Sequence, residues 1–199
     1  METTERRFIK GHIEVRQAET TPKIGGVAAV VGVTTDMGWY EEQIAPGAFD
    51  SVLAANPDVR CLFNHEDEMI LGRTKSGTLK LWVNDDGNLE YECDTDPNSP
   101  THQTVSAAIA RGDIDQSSFQ FRAKTQTWTE SAIYGELGLR IITEFDSLYD
   151  VSPVTFPAYE DTEVEMRSLK QYREKLIEEK NLPDEKTEYL KNYYNLIIK

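Results

Sequence analysis

The sequence predicts a mainly β domain with a few helices, an α+β chain in which strands come first and the end is helical. Three observations carry this. Runs of β-branched and aromatic residues, broken by Gly, Pro, Asn and Asp, recur from Ile24 to Val154. Only two short stretches in that span carry helix signals. After Pro157 the composition turns to Glu, Lys and Arg with apolar residues at helical spacing.

Taken in order, residues 24–35 are rich in Val and Ala and interrupted by glycine, which predicts a buried strand with a bend. Ala45 to Asp50 leads into Ser51 to Ala55, a short helix that must stop before Asn56-Pro57, because the residue ahead of a proline is pushed out of the helical region. Val59 to His65 reads as a strand. Leu79 to Val83 and Leu89 to Thr95 flank Asn84-Asp85-Asp86-Gly87-Asn88, whose Asp-Gly pair predicts a hairpin.

Ser99-Pro100 opens and Arg111-Gly112 closes an alanine-rich helix over Val105 to Ala110, with proline suited to the first turn and glycine to a left-handed end. Ser117 to Thr129 and Leu139 to Val154 are two further β stretches, separated by a loop over 130–138. About six or seven strands with two short helices suggest a mainly antiparallel barrel or sandwich. Beyond Pro157, Leu169, Tyr172 and Leu176 mark one amphipathic helix, and Tyr189, Leu190, Tyr193, Leu196 and Ile197 a second. The chain therefore divides into residues 1–160 and a charged helical tail, 161–199.

The 199 residues carry a formal charge of −14, concentrated before residue 160, where no cluster of Lys and Arg offers itself to phosphates. Nucleic acid is excluded as a partner, though a cationic protein is not. No apolar run approaches the ~20 residues that cross a bilayer, and the charged start is unlike a secretion signal, so no membrane partner is expected. Cys61 and Cys93 stand far apart in sequence, which fits a reducing compartment and no zinc site. No cofactor and no metal are expected.

Three histidines can do chemistry. His12 alternates with Ile13 and Val15 as a strand residue would, and His102 lies in the first turn of the predicted helix, where a polar capping role is the default. His65 ends a strand and precedes Glu66, Asp67 and Glu68, so its ring is anchored on β-structure and faces a polar turn. In Ser117-Ser118-Phe119-Gln120-Phe121-Arg122 the two phenylalanines fall on one strand face and Ser118 on the other. With Phe119 and Phe121 in the core, Ser118 faces out or into a cleft. A serine hydroxyl becomes a nucleophile only beside a base, and His65 is the candidate.

Four blocks in order carry a resemblance. Glu41-Glu42-Gln43-Ile44-Ala45-Pro46-Gly47-Ala48-Phe49, Phe63-Asn64-His65-Glu66 with Leu71-Gly72-Arg73, Ser117-Ser118-Phe119-Gln120-Phe121, and Tyr149-Asp150-Val151-Ser152-Pro153-Val154-Thr155-Phe156-Pro157-Ala158-Tyr159 resemble the prohead serine proteases of tailed phages over roughly residues 7–160. Where that family usually has glycine between the phenylalanines, this chain has Gln120.

The resemblance implies a fold like that of the herpesvirus assembly protease, an antiparallel β-barrel surrounded by short helices, and a serine endopeptidase with His65 and Ser118 as catalytic residues. It implies Asp150 as the third member, in the acidic position before Val-Ser, with Glu144 and Asp146 as rivals on the same stretch. Backbone amides near Ser118, or Arg122 or Arg73, are candidates for the oxyanion site. The implied substrates are the phage major capsid protein and scaffolding protein and the protease itself, with room for self-association. The implied place of action is inside immature capsids in the host cytoplasm. Two alternatives remain open on residues alone: an inactive barrel serving as an internal scaffold or binding module, and a metal-dependent hydrolase using His65, Glu66, Asp67 and His102.

Overall fold

The computed structural model describes residues 4–10, 13–16, 22–37, 40–129 and 138–156. By its contacts the chain divides into two units, Met1–Tyr159 and Glu160–Lys199, and every described residue lies in the first. The expected tail helices and His12 lie outside the described residues. No described helix is long and apolar enough to cross a membrane.

Along the chain run β1 (Glu5–Lys10), β2 (Ile13–Arg16), β3 (Lys23–Ala29), β4 (Thr34–Asp36), β5 (Tyr40–Ile44), α1 (Asp50–Ala54), β6 (Arg60–Leu62), β7 (Ile70–Arg73), β8 (Leu79–Val83), β9 (Leu89–Asp94), α2 (Pro100–Arg111), β10 (Gln116–Thr129) and β11 (Gly138–Val154). The architecture is mainly β with few helices, as expected, but the described strands form two open sheets instead of the expected barrel. One runs β1-β10-β11-β5-β4, with β6 on β11 and β7 on β6; the other runs β2-β3-β9-β8.

Neither sheet closes on itself, and the pairing is not uniformly antiparallel. The long strand β11 takes β10 antiparallel. It takes β5 and then β6 parallel at separate points of its length. The α1 segment is what carries the chain from β5 back to the start of β6, so that both strands run the same way along β11.

Locally legible elements form where the sequence places them. Ser99 caps α2 by accepting from the His102 amide, Pro100 occupies the first turn, and Gly112 ends the helix at φ 79°. His102 Nδ1 accepts from the Asp96 amide at 2.7 Å, which ties the approach to the helix. In the β8–β9 hairpin, Asn84 Oδ1 accepts from the amides of Asp86 and Asn88, both at 3.0 Å, and Gly87 sits at φ 85°. Residues 24–35 depart from expectation: they are two strands in different sheets, β3 and β4, and the chain passes from one to the other through Gly32 at φ 73°.

The core lies between the sheets. Phe49, Phe119, Phe121 and Phe145 share one hydrophobic cluster with Ile24, Ala28, Leu89 and Tyr91. Phe49 stacks on Phe145 at 4.5 Å between ring centres, and Phe119 on Phe121 at 4.9 Å. Cys61 and Cys93, distant in sequence, are brought together by β6 and β9 as buried free thiols. Burial and the hydrogen bond with Cys93 push the Cys61 thiol well up. Between them Gly72 is required, because a Cβ there would meet Cys93 Sγ at 2.5 Å and the Thr78 carbonyl at 3.0 Å.

Candidate active site

The site begins with the pairing of β10 and β11. Ser118 stands opposite Ser152, and Gln120 opposite Asp150. Cross-strand partners share a face, and alternate residues return to it, so Ser118, Ser152 and Asp150 belong to one face of the sheet. Phe119 and Val151, on the other face, are buried in the core. The strong apolar alternation of Ser-Phe-x-Phe thereby sets the direction of the serine, as the sequence predicts. Its surroundings differ from that reading, because Ser118 is only 1% exposed and Asp150 3%.

His65 reaches this face from the turn that follows β6. Asn64 and His65 take φ values of 55° and 58°. Left-handed backbone of this kind costs an ordinary L-residue roughly 1–2 kcal/mol, and Asn and His are among the side chains that tolerate it best. Asn64 holds the turn in place. Its amide donates to the Pro153 carbonyl at 3.0 Å. Its side-chain Oδ1 accepts from the Thr155 amide at 2.8 Å, and Nδ2 donates to Thr155 Oγ1 at 3.3 Å. The histidine turn is therefore fastened to the end of the strand that carries Asp150.

Four polar side chains then connect in a row. His65 Nε2 lies 2.7 Å from Ser118 Oγ, and Nδ1 lies 2.5 Å from Asp150 Oδ1. Ser152 Oγ donates to the same Oδ1 at 2.5 Å and lies 3.3 Å from His65 Nδ1. Ser118 Oγ has a second neighbour, the Arg7 carbonyl of β1 at 2.9 Å. A hydroxyl has one proton, so a Ser118 hydrogen aimed at Arg7 is withheld from Nε2.

The rival residues lie elsewhere. Glu144 accepts from Lys124 at 2.8 Å and Thr125 at 3.3 Å. Hydrogen bonds from Lys124 and Ser51 hold its carboxyl below the usual range. Asp146 is held down by Ser147 and then Arg122, whose Nε donates to it at 2.8 Å. Arg73 is engaged with Asp58 through two hydrogen bonds of 2.7 and 2.6 Å.

Sequence reasoning missed Asn64 as a clamp, Ser152 as a partner and Arg7 as a neighbour. The Asp-x-Ser spacing was a usable signal for Ser152, since alternation puts both side chains on one face. No local signal marks a backbone carbonyl from β1.

This arrangement is one that serine hydrolases use: hydroxyl, imidazole and carboxylate in series. The family model described as caudovirus prohead serine protease matches residues 11–175. The chain belongs to that family. It is accordingly a serine protease of the capsid-maturation class. Among solved structures, the capsid assembly protease gp21 of bacteriophage T4 is similar with a TM-score of 0.50 and 13% identity, over 78% of this chain and 97% of that one. At that identity the likeness speaks for the fold. No curated protein sequence matches the chain.

Proposed function

We propose that Ser118 is the nucleophile, His65 its general base and Asp150 the group that orients the imidazole, in an endopeptidase that cleaves the coat and scaffolding proteins of the immature capsid and also itself. The observation that carries this reading is the unbroken series from Ser118 Oγ through both nitrogens of His65 to Asp150 Oδ1, at 2.7 and 2.5 Å.

With its proton on Nδ1, held by Asp150, His65 presents a lone pair at Nε2. Ser118 Oγ attacks the scissile carbonyl carbon as its proton passes to Nε2, and the carboxylate stabilises the imidazolium that forms. The C–N bond then breaks and Nε2 returns the proton to the leaving amine. Water repeats the sequence on the acyl-enzyme. Ser118 is buried and its Oγ also faces the Arg7 carbonyl, so its proton turns from that carbonyl to Nε2 as the attack begins.

In this reading residues 1–160 are the protease domain, and the tail, 161–199, docks the enzyme onto coat or scaffold. Its charge is nearly balanced, in contrast to the acidic domain before it.

Co-expression with the coat and scaffolding proteins of the same phage tests the assignment. Wild-type protein is expected to process them, while Ser118→Ala and His65→Ala leave them intact, with the double variant no worse than either because members of one catalytic unit do not add. Normal processing by Ser118→Ala would sink the proposal.

A further inference from the structure

Ser152 is fully buried, 0% exposed, and stands across the ribbon from Ser118. A hydroxyl in that setting needs a partner. Ser152 finds its partner two residues back on its own strand, donating to Asp150 Oδ1 at 2.5 Å. A carboxylate only accepts, which settles where the Ser152 proton goes. The oxygen of Ser152 then turns a lone pair towards His65 Nδ1 at 3.3 Å. Both neighbours of Nδ1, the carboxylate and this lone pair, call for a hydrogen on Nδ1.

We propose that Ser152 is a positioning residue that locks the Asp150 carboxylate and the Nδ1–H tautomer of His65, leaving the Nε2 lone pair directed at Ser118. This rests on the reading of Ser118, His65 and Asp150 as a working series. Ser152 touches neither the substrate nor the atoms that react; it acts through Asp150 and His65. Without it the carboxylate loses a donor and can turn about its own side-chain bond, and the imidazole loses its second acceptor. The tautomer that exposes Nε2 is then no longer enforced from two sides.

The test uses the full chain as wild type, Ser152→Ala and Ser152→Cys, the last being close to serine in volume and a weaker donor. Four quantities are read: kcat and KM for hydrolysis of p-nitrophenyl acetate, the melting temperature, and the low-field proton resonance of His65 Nδ1–H. Loss of a hydrogen bond to a charged group predicts a fall in kcat of about tenfold to a hundredfold in Ser152→Ala. KM and the melting temperature are expected to stay near wild type, the resonance to move upfield and broaden, and Ser152→Cys to fall between.

Wild-type kcat with an unmoved resonance in Ser152→Ala overturns the proposal. So does a fall in melting temperature and activity together while the resonance stays, since that is a packing role. If Ser152→Ala does not fold, Ser152→Cys decides by the same criteria. Failure of the underlying reading looks different: Ser118→Ala would keep its hydrolysis, while the resonance would still report whether Ser152 holds Asp150 against His65.

Discussion

Two polar clusters are buried within the first sheet, and they are built in opposite ways. Around Arg140 the charges close on themselves. Its Nη1 reaches both Glu5 and Glu42, and its Nη2 donates to Glu5 at 2.7 Å. Arg7 donates to Glu42 at 2.5 and 2.8 Å and to Glu5 at 2.9 Å. Two cations each bind two anions, and Tyr40 and Gln126 take further donors at 3.2 and 2.7 Å. Around His65 the series does not close, because Ser118 Oγ faces both an imidazole nitrogen and the Arg7 carbonyl with one proton to give. The closed set is a lock whose members have nowhere to move; the open series is one along which a proton can shift. Damage to the first should appear as lost stability, and damage to the second as lost turnover.

The sharpest way to break this contrast is Asp150→Asn. It keeps the shape of the side chain and removes the orienting charge, so kcat is expected to fall by about 10⁴ with little change in melting temperature. Glu144→Gln and Asp146→Asn should stay near wild type, since those groups bind Lys124 and Arg122 instead. A dead Glu144→Gln alongside an active Asp150→Asn would move the third role.

Next in size is Arg140→Met, which leaves Glu5 and Glu42 buried with half their counter-charge. Removing one partner from such a cluster costs about 3–5 kcal/mol. Thermal or urea unfolding should register that loss, while kcat per folded molecule changes far less. An unchanged melting temperature would mean that the cluster is not the lock described.

The same cluster has a pH signature. Burial pushes the Glu42 carboxyl up, but the guanidiniums of Arg7 and Arg140 more than offset this and hold it below the ordinary glutamate range. The folded value is then lower than the unfolded one. Its contribution is complete above the ordinary glutamate pKa of about 4.3 and is lost as pH falls through the folded value. Melting temperature measured downward from neutral pH should drop more steeply in wild type than in Glu42→Gln, which starts lower. Parallel curves would show that Glu42 is not a source of the acid sensitivity.

The smallest effect is expected at Asp58. Its carboxyl is held down to about 2, mainly by the hydrogen bond from Arg73, but the pair is exposed to solvent and screened. Asp58→Asn should barely move the melting temperature, and any difference should vanish at high salt. A large loss there would contradict the idea that burial separates the lock from ordinary surface pairs.

What the sequence determined by itself is the part written in short-range chemistry. The Asn84 to Asn88 hairpin, the capped helix from Ser99 to Gly112 and the inward Phe119 and Phe121 all follow from backbone preferences and alternation within a few residues. The family blocks singled out His65, Ser118 and Asp150, and the structure brings those three side chains together. Tertiary structure alone decided the rest. Strands β1 and β5 read poorly as strands because Glu5, Arg7 and Glu42 are charged, and Glu5 and Glu42 become buried only when Arg140, on distant β11, completes the set. Gly32 turns an apparent single strand into members of two sheets, because whether a bend keeps or changes sheet depends on partners far along the chain. His65 meets Ser118 across 53 residues and Asp150 across 85. Distances, burial and proton sharing at such separations come from long-range pairing, and that is not encoded in the period or the propensity of any one segment.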